Sequence, residues 1–109
     1  MAFDVFDYRT DIGNVLITPE IRSRFLRMQP GDRNTPHTHD LGQEVFLVLE
    51  GEVEFDIAGH RRVLSPGQMC VALRNQMHSV RCVSETPATY YLSVTPHIEP
   101  THTQWDADG

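Results

Sequence analysis

The side chains best suited to chemistry crowd into one stretch, Gly31-Asp32-Arg33-Asn34-Thr35-Pro36-His37-Thr38-His39-Asp40-Leu41-Gly42-Gln43-Glu44. His37 and His39 are separated by one residue. On an extended chain both project from the same face, with Cβ atoms ~6–7 Å apart at a rise of ~3.3 Å per residue. Two imidazoles leaning together can then share one ion at ~2.1 Å each. Glu44 comes five residues after His39 and would point the opposite way on an unbroken strand. Asp40-Leu41-Gly42 can turn the chain, and a neighbouring strand then returns Glu44 to the same interior. His78 opens a later strand just after Asn75-Gln76 and is the fourth candidate. Three imidazoles and one carboxylate suit Fe(II), Mn(II), Ni(II), Cu(II) or Zn(II). Around an octahedral ion, four protein ligands leave two positions for water, substrate or dioxygen.

Such a cluster needs a rigid scaffold, and the surrounding pattern is that of strands. Val53, Phe55 and Ile57 alternate with Glu52, Glu54 and Asp56, which is period two with one dry face and one wet. The preceding run, Glu44 to Glu50, is apolar on both faces through Val45-Phe46-Leu47-Val48-Leu49. One face then points into an interior, and the other calls for a second layer, for which a partner subunit is a candidate. Ser23 to Met28, His60 to Leu64, Met69 to Leu73, Met77 to Val83 and Thr89 to Thr95 follow the same grammar. Pro30-Gly31 and Pro66-Gly67 mark tight turns, because Pro presets φ and Gly accepts φ > 0. About eight short strands with such turns predict an all-β fold, a small antiparallel barrel or jelly roll.

The chain of 109 residues fits one domain, 1–109, with a barrel core over about 15–95, an N-terminal arm over 1–14 and an extended tail over 96–109 in which Trp105 can act as an anchor. The formal charge is −6, and all nine basic residues are Arg. An anionic chain without a basic run is a poor binder of nucleic acid or anionic membrane. Without Lys there is no Schiff-base nucleophile and no P-loop lysine. No Gly-x-Ser-x-Gly elbow, dinucleotide fingerprint or His-Glu-x-x-His is present. Cys70 and Cys82 make no disulfide framework, although a bond between them is open. No apolar run approaches the ~20 residues of a membrane helix, and the N-terminus lacks the basic start and apolar stretch of a signal peptide. The expected compartment is the cytoplasm, with both thiols reduced.

The chemistry-bearing residues resemble those of a known family. Gly31, His37, His39, Glu44 and Gly51 stand at the spacing of the first conserved motif of the cupin superfamily, complete. Pro66-Gly67 and His78 match the second motif. Its usual Pro-x-Gly turn reads Leu73-Arg74-Asn75 here, with Asn75 able to take the left-handed conformation. Cys82 stands where the family has Asn. The resemblance covers roughly residues 23–95 and is to small single-domain cupins of the cupin 2 conserved-barrel type. It implies a double-stranded β-helix holding one divalent metal ion on His37, His39, Glu44 and His78, and commonly a homodimer.

Phe46 and Val48 share parity with Glu44, which places them in the core or on a substrate pocket beside the ion. Arg62, Arg74 and Arg81 are candidates to orient an anionic substrate wherever one points inward. The resemblance implies a metal-dependent enzyme acting on a small organic molecule, dioxygenase- or isomerase-like, with no general base evident. The alternatives are a non-catalytic small-molecule-binding or sensor module, and a metal that only staples the barrel. His60, His97 and His102 are expected at the surface.

Overall fold

The computed structural model describes residues 3–38, 42–96 and 103–104, with only the backbone of His37, Thr103 and Gln104. Ten strands run through the described residues: β1 Gly13–Ile17, β2 Arg22–Met28, β3 His37–Thr38, β4 Gln43–Glu50, β5 Val53–Ile57, β6 His60–Leu64, β7 Met69–Ala72, β8 His78–Cys82, β9 Ala88–Thr95 and β10 Thr103–Gln104. They form two five-stranded antiparallel sheets, ordered β1-β2-β9-β4-β7 and β10-β3-β8-β5-β6. The fold is all-β, and its two sheets face one another as a jelly roll with the core between them.

Cross-strand register shows how alternation builds that core. In the first sheet, Val48 pairs with Tyr90 and Tyr90 with Leu26; Phe46 pairs with Leu92 and Leu92 with Arg24; Glu44 pairs with Val94 and Val94 with Arg22. Directly opposed residues share a face, so these rows line the interior. In the facing sheet the interior row is Val53, Phe55 and Ile57 on β5 against Cys82, Val80 and His78 on β8. Phe46, Val48, Val53, Phe55, Val80, Tyr90 and Val94 are all at most 2% exposed, so the period-two pattern is fulfilled in packing. Along the barrel axis the interior changes character. One end holds Met28, Leu26, Val48, Val53 and Cys82, and the other holds Glu44, His78, Arg22 and Arg24.

The doubly apolar β4 has an outer face as well. Its Leu47 lies in one row with Met69 of β7, Tyr91 of β9 and Phe25 of β2. The arm before β1 covers one end of that row, with the Tyr8 ring edge-on to Phe25 at 6.4 Å. Met69 at the other end is 58% exposed.

Two turns explain motif residues. Gly51 joins β4 to β5 at φ +69°, and a Cβ there would stand 2.8 Å from the Ala88 Cα. Only glycine satisfies both the conformation and the close approach. Asn75 sits at φ +64°, as its residue type suggests, and the Gln76 amide closes the turn onto the Leu73 carbonyl at 3.0 Å. Asn75→Gly should therefore be neutral in urea denaturation, while Asn75→Ala should cost about 1 kcal/mol for a Cβ-bearing residue lacking the local polar compensation in the left-handed region. Equal losses would mean that the turn does not depend on this conformation.

Candidate metal centre

The turn at Asn75 places the first ligand candidate. Immediately after it, His78 Nδ1 lies 3.0 Å from the Gln76 carbonyl oxygen. A carbonyl can only accept, so Nδ1 carries a proton and donates it. The ring is thereby fixed, and its Nε2 faces the interior 3.0 Å from Glu44 Oε2. The His78 and Glu44 side chains are 1% and 3% exposed. They come from opposite sheets, β8 and β4, and meet across the barrel. Phe46 stands behind His78, with ring centroids 5.7 Å apart in an edge-on contact.

The segment carrying the first motif runs antiparallel to β8. Gly31 N–H donates to the Cys82 carbonyl at 3.2 Å, and Cys82 N–H donates to Asp32 O at 2.9 Å. Asn34 donates its amide to Val80 O at 3.1 Å, and its side-chain Oδ1 accepts the Val80 amide at 2.7 Å. Continuing that ladder, His37 becomes the Cα partner of His78. The register thus brings His37 to the same barrel end as His78 and Glu44. His39 lies outside the described residues, as do His97, His102 and Trp105.

The remaining sequence candidates are distributed as follows. Phe46 touches His78 and is also core, packed on Phe55 at 4.9 Å and on Tyr90 at 6.1 Å between ring centroids. Val48 is fully buried one row farther from Glu44. Cys82 is buried, its Sγ 3.7 Å from the Thr86 carbonyl, and both cysteines are free thiols. Cys70 pairs with Phe46 on the interior face, where burial, reinforced by the Glu44 charge, pushes its thiol up to about 11. His60 is exposed at the β5–β6 turn.

Of the three arginines singled out from sequence, two lie away from the interior and one on its face. Arg81 is exposed and ion-paired to Glu54 at 3.3 Å and Arg74 is exposed in the turn, whereas Arg62 pairs with Phe55 on the interior face and lines an open groove between β6 and β7. Arg22 and Arg24 on β2 are inward as well, in the rows of Glu44 and Phe46. Their signal was present as alternation with Leu26 and Met28 on one strand, but alternation does not say which face is inside.

Two five-stranded antiparallel sheets closed over an apolar core, with a histidine–carboxylate pair at one end, define a double-stranded β-helix of the cupin class. A family model described as Cupin domain matches residues 24–95, and the chain belongs to that family. It is 36% identical over 55 residues to the pectin degradation protein KdgF of Dickeya dadantii, covering 50% of each chain, so it matches about half the length of that curated relative. Among solved structures it is similar to KdgF from Halomonas sp., with TM-score 0.73, 27% identity and coverage of 79% of this chain and 77% of that one. A protein with a double-stranded β-helix domain from Klebsiella pneumoniae shares the fold at TM-score 0.85 and 19% identity, over 96% of this chain and 99% of that one.

Proposed function

We propose that this chain is a metal-dependent cupin enzyme acting on a small organic molecule, with His37, His39, Glu44 and His78 as ligands of one divalent ion. The carrying observation is the contact between His78 Nε2 and Glu44 Oε2 at 3.0 Å. Because Nδ1 is committed to Gln76, an Nε2 lone pair there would face a carboxylate, acceptor against acceptor, unless a proton or a cation lies between them. Two donor atoms each ~2.1 Å from one ion and at right angles are ~3.0 Å apart, so the pair fits two adjacent coordination positions. The donor set of nitrogen and oxygen suits Fe, Mn, Ni, Zn or Cu.

When bound, the ion supplies Lewis acidity and open coordination positions for substrate or dioxygen. The chain's own residues do the rest. Gln76 fixes the His78 ring through Nδ1, which sets its tautomer. Phe46 holds the same ring from its edge. The packed rows below, Phe46, Phe55, Val80 and Leu92, keep water from that side of the cluster. The similarity to KdgF from two species supports an enzymatic role on a small molecule.

Metal analysis of protein purified without an affinity tag tests the ligand set. His39→Ala should lose metal at least about tenfold, while His102→Ala should retain it. Equal metal content in the two would overturn the assignment. Turnover is then sought after anaerobic reconstitution with Fe(II), Mn(II) or Ni(II). A protein that binds ion and ligand but converts nothing is a binding module.

We further propose a homodimer in which a second copy covers the open end of the outer row, Leu47 and Met69, because Met69 is 58% exposed there. Light scattering at micromolar concentration should give twice the chain mass. A monomer would reject the pairing.

A further inference from the structure

Two inward arginines on β2 are unexplained by the metal ligands. Arg22 and Arg24 project from β2 into the polar end of the barrel, in the same rows as Glu44 and Phe46. The Nε atom of each is buried and has no hydrogen-bond partner. Neither guanidinium is ion-paired among the described residues. A buried donor left unmade is costly to the folded state, and natural cores avoid it. Two such donors, two residues apart on one strand and in the rows of Glu44 and Phe46, point to a ligand that completes them.

We propose that Arg22 and Arg24 form a carboxylate-binding clamp at the barrel mouth, and that the molecule taken by this site is a small organic acid. The guanidinium fork matches an oxyanion with paired N–H donors, which Lys could not do as well. Alternate residues on a strand are ~6–7 Å apart, so both forks can converge on one carboxylate. Arg22 and Glu44 lie in one row, two strands apart, which is on the order of 10 Å between backbones. A molecule of a few carbons spans that gap, its carboxylate on the arginines and its other end at the His78–Glu44 pair. Tyr90 reports the same neighbourhood: burial raises its phenol, the Glu44 charge adds to this, and Arg24 opposes it. A singly charged carboxylate suits the clamp better than a phosphate dianion, because Glu44 contributes a negative charge in the same mouth. The clamp therefore concentrates positive charge inside a chain whose formal charge is −6. This inference rests on the metal-centre reading only for where the far end of the acid goes.

The experiment is calorimetric titration of propionate and lactate, with lactamide and inorganic phosphate as controls. It is run on the metal-loaded chain and on the same chain after chelator treatment. Arg22→Met and Arg24→Met keep the aliphatic stem, and Arg27→Met, from the outer face of the same strand, is the control. Each inward variant should weaken carboxylate binding about tenfold or more, the strength of a lost charge-assisted pair. Melting temperatures of these variants should equal or exceed wild type, since an unpartnered buried donor has been removed. Arg27→Met should bind as wild type does, and lactamide should not bind. Carboxylate binding that survives chelation but fails in the arginine variants supports the clamp even where the metal reading fails. Wild-type affinity in both inward variants would overturn the clamp and leave the metal centre standing. So would phosphate binding tighter than either acid, or no carboxylate binding at millimolar concentration in either form.

Discussion

His78→Ala is expected to empty the site, reducing bound metal to about a tenth of wild type or less, and to destabilise the metal-free chain as well. The second effect follows from burial. Glu44 is 3% exposed and its contact with His78 bridges the two sheets at 3.0 Å. Removing the imidazole leaves a carboxylate in the interior without that partner, and breaking a buried pair from one side costs ~3–5 kcal/mol. In a chain of 109 residues that is a drop of about 10 °C or more in melting temperature. Urea denaturation of chelator-treated protein isolates this loss from that of the ion. The exposed pair Arg61–Asp56, at 3.1 Å with Arg61 70% exposed, is the internal comparison. Arg61→Ala should change stability by less than ~1 kcal/mol. Were His78→Ala to cost no more than Arg61→Ala, the interior contact would have no energetic consequence and the centre would be misplaced.

Phe46→Ala is expected to cost the most of any single core truncation, about 3–5 kcal/mol. The ring is 1% exposed and stacks against Phe55, Tyr90 and His78. Its removal opens a cavity where both sheets meet, and rings on three other strands cannot all move in to fill it. Phe46→Leu, which keeps most of the volume, should lose about 1–1.5 kcal/mol. Metal content of Phe46→Ala should fall less than that of His78→Ala, because Gln76 still anchors the imidazole. Equilibrium unfolding in urea measures the first quantity and elemental analysis the second. A loss in Phe46→Ala below about 1.5 kcal/mol would show that the ring borders open space instead of core.

Much of the architecture is legible along the chain. Glu52 to Ala58 alternates strictly, and its apolar members Val53 and Phe55 are buried, with Ile57 packed against them. Asn75 reads as a left-handed turn residue and adopts that conformation. Gly51 reads as a turn between two strands, and Ala88 crowds it. Glu44 was expected on a strand other than that of the histidines, facing the same interior. It lies on β4 in one sheet while His37 and His78 pair in the other. Each of these features is local or periodic, and short-range sterics and burial are what sequence reports directly.

The arginines show where that legibility stops. Arg22 and Arg24 looked no different from Arg62, Arg74 and Arg81, yet Arg22, Arg24 and Arg62 share the interior face while Arg74 and Arg81 do not. Parity establishes that Arg22, Arg24, Leu26 and Met28 share a face, but the inward face is selected by pairing β2 with β9, some seventy residues away at its far end. The sequence by itself determined strands β2 and β4 to β9, their turns and the residue types able to hold a cation, but not β1 or β10. Only the tertiary structure decided that His78 Nε2 meets the Glu44 carboxylate across the barrel and that Arg22 and Arg24 share that interior end. Side-chain alternation is set by the backbone of a single strand, whereas register between distant strands is set by the packing of the whole core.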